Sequence, residues 1–287
     1  PLVTRQVVLI GKPLKRRHSQ VMHDAAFDAA GIDGRYVLRE IDPDEVEALV
    51  ASARGDDWLG LGVTAPYKQI VAGLVDEVEG DAEAIGAVNN VVRTEDGRLI
   101  GFNSDAPGFQ AGVERAMGRE IAGVEAVVVG AGGAAHAVVH ALLAGGAAGL
   151  TVAARRRGAA AALLARFEDV GMARRGAVAL DDDAFGAAVD QADLAVNATT
   201  VGMVDPGMTI PVDRLPAHAT VFDLVYVPPE TPLLAAARAR GLRAANGSEM
   251  LIQQAAIAFE RWTGVGGMAD VMRAAVAPLL ADPTVTA

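Results

Sequence analysis

Cysteine is absent from the 287-residue chain. That excludes disulfides, thiolate metal ligands and a cysteine nucleophile, and it permits a cytoplasmic protein. Positive charge is scarce too: 25 Lys and Arg face 36 Asp and Glu, for a formal net charge of −11. A field of that sign repels a phosphate backbone, so no nucleic-acid partner is expected, and any anionic ligand must be held by local cations. Between residues 126 and 154 there is no Asp, Glu, Lys or Arg, a stretch long enough to raise a membrane span. The six glycines and two histidines inside it argue against one. The first thirteen residues hold too short an apolar run for a secretory leader. No repeat, charged tail, low-complexity linker or metal site is apparent, and the expectation is a soluble protein that makes no membrane contact.

What the sequence does contain is organised around residues 126–157. A run of valines suits a strand buried on both faces, and Gly130, Ala131, Gly132 and Gly133 then turn the chain sharply into small and apolar residues at helical spacing. After a break at Gly145-Gly146 a second apolar run follows. Strand, glycine turn, helix and strand together place free backbone N–H groups where a pyrophosphate can sit close to them. A site for NAD ordinarily carries an acid after the second strand to hold the ribose 2′-hydroxyl, whereas this chain has Arg155, Arg156 and Arg157. Guanidiniums suit a 2′-phosphate, so the expected cofactor is NADP.

Elsewhere, residues 6–10 read as a strand leading through Gly11-Lys12-Pro13 to a helix that stops at Gly31. Arg16, Arg17, His18 and Ser19 lie before that helix, either as an anion site or as a solvated loop with Ser19 as cap. A strand over 36–41 precedes a helix capped by Asp42, and a strand over 58–63 runs into Thr64-Ala65-Pro66-Tyr67-Lys68. Pro66 suits the first turn of a helix, which puts Thr64 and Lys68 at the carboxyl end of a strand, where α/β sites gather. Residues 76–85 read as helical. Two apolar runs joined at Asp96-Gly97 form a hairpin, bringing Asn89 and Asn103-Ser104-Asp105 to its ends, with Asp105 capping the next helix. Further strands are expected near 176–180, 193–196, 221–225 and 242–245. A helix capped by Thr231 and two C-terminal helices from about 248 complete the pattern. The alternation means an α/β fold with a doubly wound parallel sheet, and the length suits two domains.

Together these stations resemble the shikimate dehydrogenase family over nearly the whole chain. Gly11, Pro13, Ser19, His23 and Phe27 fall in step with its opening motif, and Val63-Thr64-Ala65-Pro66-Tyr67-Lys68 with its Val-Thr-x-Pro-x-Lys. Gly86 to Asn90, Asn103-Ser104-Asp105, Gly130 to Ala134, Asn197 to Met203, Asp223 with Tyr226 and Pro228, and Gln254-Ala255-Ala256 follow in order. The resemblance implies an α/β substrate domain, residues 1–104 plus 246–287, and a Rossmann-type NADP-binding domain, residues 105–245, with the active site between them. It implies reversible hydride transfer between NADP(H) and the carbon that is a ketone in 3-dehydroshikimate and an alcohol in shikimate, a step toward chorismate and the aromatic amino acids. Lys68 and Asp105 would be the catalytic pair: an ammonium stabilises charge growing on the ketone oxygen and supplies its proton, while Asp105 orients it. Arg17, Ser19, Thr64, Asn89, Tyr226 and Gln254 would hold the substrate, Ser19 its carboxylate. Gly130, Ala131, Gly132, Gly133, Ala134, Arg155, Arg156, Arg157, Thr199, Leu224 and Gly247 would line the cofactor. A homodimer is compatible with the resemblance.

The chain departs from the family pattern on the substrate side. Arg17 replaces a serine, Gln20 the proline after the second serine, Gly62 the Asn before Val-Thr, and Glu249 a glycine near the nicotinamide. A guanidinium is longer than a hydroxyl and demands a bidentate partner, so the substrate could be a relative such as quinate or an amino-substituted shikimate. Outside this class stand a glycine-turn methyltransferase, which the arginines disfavour, and a non-catalytic NADP-binding regulator.

Overall fold

A computed structural model of the chain describes residues 4–14 and 16–281; the outer limits expected for the domains, residues 1 and 287, lie outside these. The chain forms two units, Pro1–Ser104 with Ile252–Ala287, and Asp105–Leu251.

The first unit runs β1 (Arg5–Gly11), α1 (His18–Ala30), β2 (Gly34–Glu40), a single 3-10 turn (Pro43–Glu45) into α2 (Val46–Ser52), β3 (Trp58–Val63), α3 (Lys68–Ala72), β4 (Glu77–Val78), α4 (Asp81–Ile85), β5 (Asn90–Arg93) and β6 (Leu99–Phe102). Its sheet has the order β2-β1-β3-β5-β6-β4. β1 lies parallel to both neighbours, and the expected hairpin adds β5 and β6 antiparallel. All six residues of β3 are buried, as a strand covered on both faces requires. Val46, Leu49 and Val50 of α2 pack with Ile10, Leu61 and Val63. Each such side chain removed from water contributes roughly 1.5–3 kcal/mol.

The second unit runs α5 (Asp105–Met117), β7 (Glu125–Val129), α6 (Gly133–Ala144), β8 (Gly149–Ala154), α7 (Arg157–Ala165), β9 (Arg174–Ala179), α8 (Asp183–Val189), β10 (Leu194–Asn197), β11 (Thr220–Asp223), α9 (Pro232–Ala239) and β12 (Arg243–Asn246). Every pairing in its sheet, β12-β11-β10-β7-β8-β9, is parallel, the doubly wound arrangement expected from the alternation. The order reverses between β7 and β10, and in such sheets ligands bind outside the carboxyl ends of the strands at that reversal. α10 (Ser248–Thr263) begins in the second unit and ends in the first, and α11 (Ala269–Ala281) follows. The Trp262 indole N–H donates to the Val91 carbonyl at 2.9 Å, pinning α10 to the first sheet. The uncharged stretch 126–154 is therefore β7, α6 and β8, and among the described residues no helix is long and apolar enough to cross a membrane.

Several local expectations are corrected. Pro66 lies in a turn closed by the Tyr67 N–H on the Thr64 carbonyl at 3.0 Å, and α3 starts only at Lys68. Residues 76–85 are not one helix: Glu77–Val78 pair with β6, because the Asp76 carboxylate and N–H both bond Leu99 and hold the segment extended. Arg17, not Ser19, is the N-cap residue of α1, and no side chain caps that helix. Asp105 is the first residue of α5 rather than the residue before it. Helix α8 has no counterpart among the expected elements, although Phe185 and Val189 bury one side of it in the core of the second unit. The Thr231 cap is present, its hydroxyl accepting from the Leu234 N–H at 3.3 Å.

Candidate active site

The glycine turn follows β7. Gly130 has φ +124°, a conformation that L side chains avoid, and a Cβ there would stand 2.8 Å from the Ala198 carbonyl oxygen. Its N–H donates to the Ala153 carbonyl at 2.9 Å, which ties the turn to β8. Gly132 is the N-cap of the twelve-residue α6, and no side chain caps it. A Cβ at Gly132 or Gly133 would meet nothing within 4 Å, and Gly132, Gly133 and Ala134 are exposed. A helix N-terminus left uncapped, with bare backbone around it, fits a pyrophosphate. Arg155, Arg156 and Arg157 leave the end of β8 exposed and pair with no described residue. The first acid after them in sequence is Glu168, so three free guanidiniums and no carboxylate follow that strand.

Beside this turn a buried polar network holds Thr199. β10 and β11 end level with each other, with Asn197 opposite Asp223. Asp223 is 0% exposed and accepts from Thr231 Oγ1 at 2.7 Å, Asn197 Nδ2 at 2.9 Å and the Val225 N–H at 3.0 Å. Burial pushes its pKa up from the usual carboxylate value, against those three donors. Asn197 Oδ1 in turn accepts from Thr199 Oγ1 at 2.7 Å and the Thr199 N–H at 3.2 Å. The Leu224 N–H bonds the Asn197 carbonyl at 3.0 Å. A Cβ at Gly247 would come within 2.3 Å of the Leu224 carbonyl oxygen, so only glycine fits there. The loop from Asn197 was expected along the cofactor, whereas Asp223 was missing from the expected site residues; the available signal was a polar residue closing the adjacent apolar strand.

In the first unit, backbone bonds gather Thr64, Lys68 and Asn89. The Val63 N–H donates to the Asn89 carbonyl at 2.8 Å, and the Val88 N–H to the Lys68 carbonyl at 3.0 Å. Thr64 and Lys68 are half-buried at the carboxyl end of β3. The Asn89 amide oxygen accepts from the Ser104 N–H at 2.9 Å and Asn90 Nδ2 at 2.7 Å, and its nitrogen donates to Ser104 Oγ at 3.3 Å. With its oxygen saturated, Asn89 has one N–H left to offer a ligand. Ser104 and Asn90, which orient it, were not anticipated as part of the site.

Two departures from the family pattern are joined in the structure. Arg17 Nε donates to Gln20 Oε1 at 3.0 Å, and Gln20 Nε2 donates to the Tyr36 carbonyl at 3.2 Å. The third involves the same tyrosine: a Cβ at Gly62 would lie 2.6 Å from the Tyr36 hydroxyl and 3.0 Å from Leu9 Cδ1, so an asparagine there would collide. Tyr36 is buried and stacks on His23, ring centroids 4.4 Å apart, and burial pushes its pKa far above the ordinary value. Ser19 and Gln254 are half-buried in the first unit, at the start of α1 and on α10; Asp105 and Tyr226 are half-buried in the second, at the start of α5 and after β11.

An open α/β sheet with an uncapped glycine turn at its strand reversal and free arginines beyond the next strand defines a dinucleotide-binding protein. Residues 9–91 match the family described as the shikimate dehydrogenase substrate binding domain, and residues 247–277 the shikimate 5'-dehydrogenase C-terminal domain. The shikimate dehydrogenase (NADP(+)) of Symbiobacterium thermophilum is 41% identical over 96% of this chain and 95% of its own. Among solved structures, the shikimate 5-dehydrogenase of Thermus thermophilus in complex with NADP(H) and shikimate matches with a TM-score of 0.84 at 33% identity, covering 96% of this chain and 99% of that one. The quinate dehydrogenase of Corynebacterium glutamicum in complex with NAD matches with a TM-score of 0.86 at 36% identity over 96% and 99%. The chain belongs to the shikimate dehydrogenase family.

Proposed function

We propose that the protein is an NADP-dependent shikimate dehydrogenase that reduces 3-dehydroshikimate to shikimate reversibly, in the cytoplasm, on the route to the aromatic amino acids. The observation that carries this reading is the gathering of Thr64, Lys68 and Asn89 at the carboxyl end of β3 by the Val63–Asn89 and Val88–Lys68 backbone bonds, in a chain whose other unit offers an open glycine turn and three unpaired arginines.

The residues present fit the cofactor. Gly130 to Ala134 would hold the pyrophosphate, Arg155, Arg156 and Arg157 the 2′-phosphate, and Thr199, Leu224 and Gly247 the nicotinamide half. When bound, NADPH supplies a hydride to the ketone carbon. Lys68 then acts on the ketone oxygen: its ammonium stabilises the charge that builds there and transfers a proton to it. The Asp105 carboxylate orients the ammonium and accepts from a neighbouring substrate hydroxyl. The remaining Asn89 N–H, the Thr64 hydroxyl, Tyr226 and Gln254 hold the other ring oxygens, and Arg17 and Ser19 the carboxylate. In the oxidative direction Lys68 takes the proton back as the base.

The test is a substrate and cofactor panel, following absorbance of reduced nicotinamide with NADP or NAD against shikimate, quinate and their amino-substituted relatives. Rapid turnover of shikimate with NADP is the expected result. Quinate is the second reading, favoured by Gly62 and the Tyr36 hydroxyl beside it; negligible turnover of shikimate beside rapid turnover of quinate establishes it instead. The proposal extends to a homodimer, read as mass by light scattering.

A further inference from the structure

Arginine can meet a carboxylate in two bidentate ways, side-on through Nε and one Nη or end-on through both Nη groups. In this chain the first is closed, because the Arg17 Nε–H is committed to Gln20 Oε1 at 3.0 Å. The Gln20 amide cannot turn over to release it, since its nitrogen simultaneously donates to the Tyr36 carbonyl at 3.2 Å. Tyr36 is in turn an immobile anchor: it is 4% exposed, sits within β2 and stacks on His23. A solvent-facing guanidinium is thus tethered through one amide to the sheet, with two parallel Nη edges left over. Arg17 precedes α1, which follows β1, and β1 runs parallel to β3. The loop that carries Arg17 therefore leaves the first sheet at the same edge as Thr64 and Lys68, while the Tyr36 tether lies further back, opposite Val7. The thirteen-residue α1 adds its own attraction for an anion, having no side-chain cap at its N-terminus.

We propose that Gln20 is a positioning residue that presents Arg17 end-on to the carboxylate of the substrate; this rests on the dehydrogenase reading above. It explains why Arg17 and Gln20 depart from the family pattern together. A proline at position 20 has no amide to take the Nε–H, and an arginine at 17 would then swing freely. It also makes the substrate's negative charge, rather than its hydrogen-bonding oxygens alone, the feature that this subsite reads. A ring acid is held, and its neutral ester is not.

The experiment is steady-state kinetics on the full-length protein at saturating NADP, with shikimate and with shikimate methyl ester, for the parent, Gln20→Met, Gln20→Ala, Arg17→Ala and the Arg17→Ala/Gln20→Met double variant. Methionine keeps the length of the side chain and removes both hydrogen bonds. The expected result for Gln20→Met and Gln20→Ala is a KM for shikimate raised roughly three- to tenfold, the cost of ordering one long side chain on binding, with kcat within about twofold of the parent. The rise is expected to vanish with the methyl ester and in the Arg17→Ala background, where the two changes share one interaction. An unchanged KM in both Gln20 variants overturns the proposal, and so does a rise that persists undiminished with the ester or on Arg17→Ala. If the parent turns over neither shikimate nor quinate, the dehydrogenase reading fails and this inference with it. Turnover in the parent with indifferent Gln20 variants sinks the inference alone.

Discussion

His23 makes stability depend on pH in a way that can be calculated. Its ring is 2% exposed, stacked on Tyr36 and set 5.2 Å from Trp262 and 6.3 Å from Phe259 between centroids. Nδ1 has no partner. Burial among these rings lowers its pKa from 6.5 to about 3, because a charged imidazolium would be stranded in an apolar environment. The unfolded chain takes up a proton at this residue as the pH drops below 6.5, whereas the folded chain does not until about 3. The unfolded state therefore binds more protons throughout that window, and stability falls as the pH falls. Each unit is worth about 1.4 kcal/mol, so between pH 7.5 and pH 5 this one group removes about 2 kcal/mol. His18, also lowered chiefly by burial, pulls the same way, so the effect must be isolated by difference. Urea unfolding of the parent and of His23→Gln at the two pH values does so. The stability gap between them should shift by about 2 kcal/mol in favour of the variant at pH 5. A gap that stays constant across that range would falsify the assignment of a neutral, buried His23.

Lys68→Ala and Asp105→Asn are each expected to lower turnover by at least about a hundredfold, while NADP binding measured by calorimetry stays within about twofold of the parent; activity near the parent's in both would remove them from catalysis. Replacing Arg155 and Arg156 by alanine deletes two charge-assisted bonds, so KM for NADP should rise about tenfold or more while KM for NAD hardly moves, and equal losses with both cofactors would refute a 2′-phosphate role. Gly247→Ala forces a Cβ within 2.3 Å of the Leu224 carbonyl. The strand exit must shift, costing about 1–3 kcal/mol in unfolding experiments together with weaker cofactor binding, and an unaltered variant would contradict the close packing.

Much of this protein was legible before folding because its signals are short in range. The run Ala126-Val127-Val128-Val129-Gly130 carries a buried strand and its turn in five residues, and Asp96-Gly97 carries the hairpin. Arg155, Arg156 and Arg157 announce a cationic edge through mere adjacency. What was misread was decided by distant partners. Glu77 and Val78 are strand rather than helix because Leu99 and Gly101 supply the bonds, more than twenty residues away. Asn89 reads as a ligand-binding amide in sequence, yet its oxygen is spent on Ser104 and Asn90.

The amino-acid order by itself thus determined the alternation of strands and helices, the two-domain α/β class, the glycine turn and the charge that follows it, since each is written in neighbouring residues. Only the tertiary structure decided how the polar side chains are shared: Asn197 with Asp223 and Thr231, and Arg17 with Gln20 and the Tyr36 carbonyl. Buried or tethered donors and acceptors must find partners wherever the sheet brings them, and strand register sets those pairings across gaps that no local pattern spans.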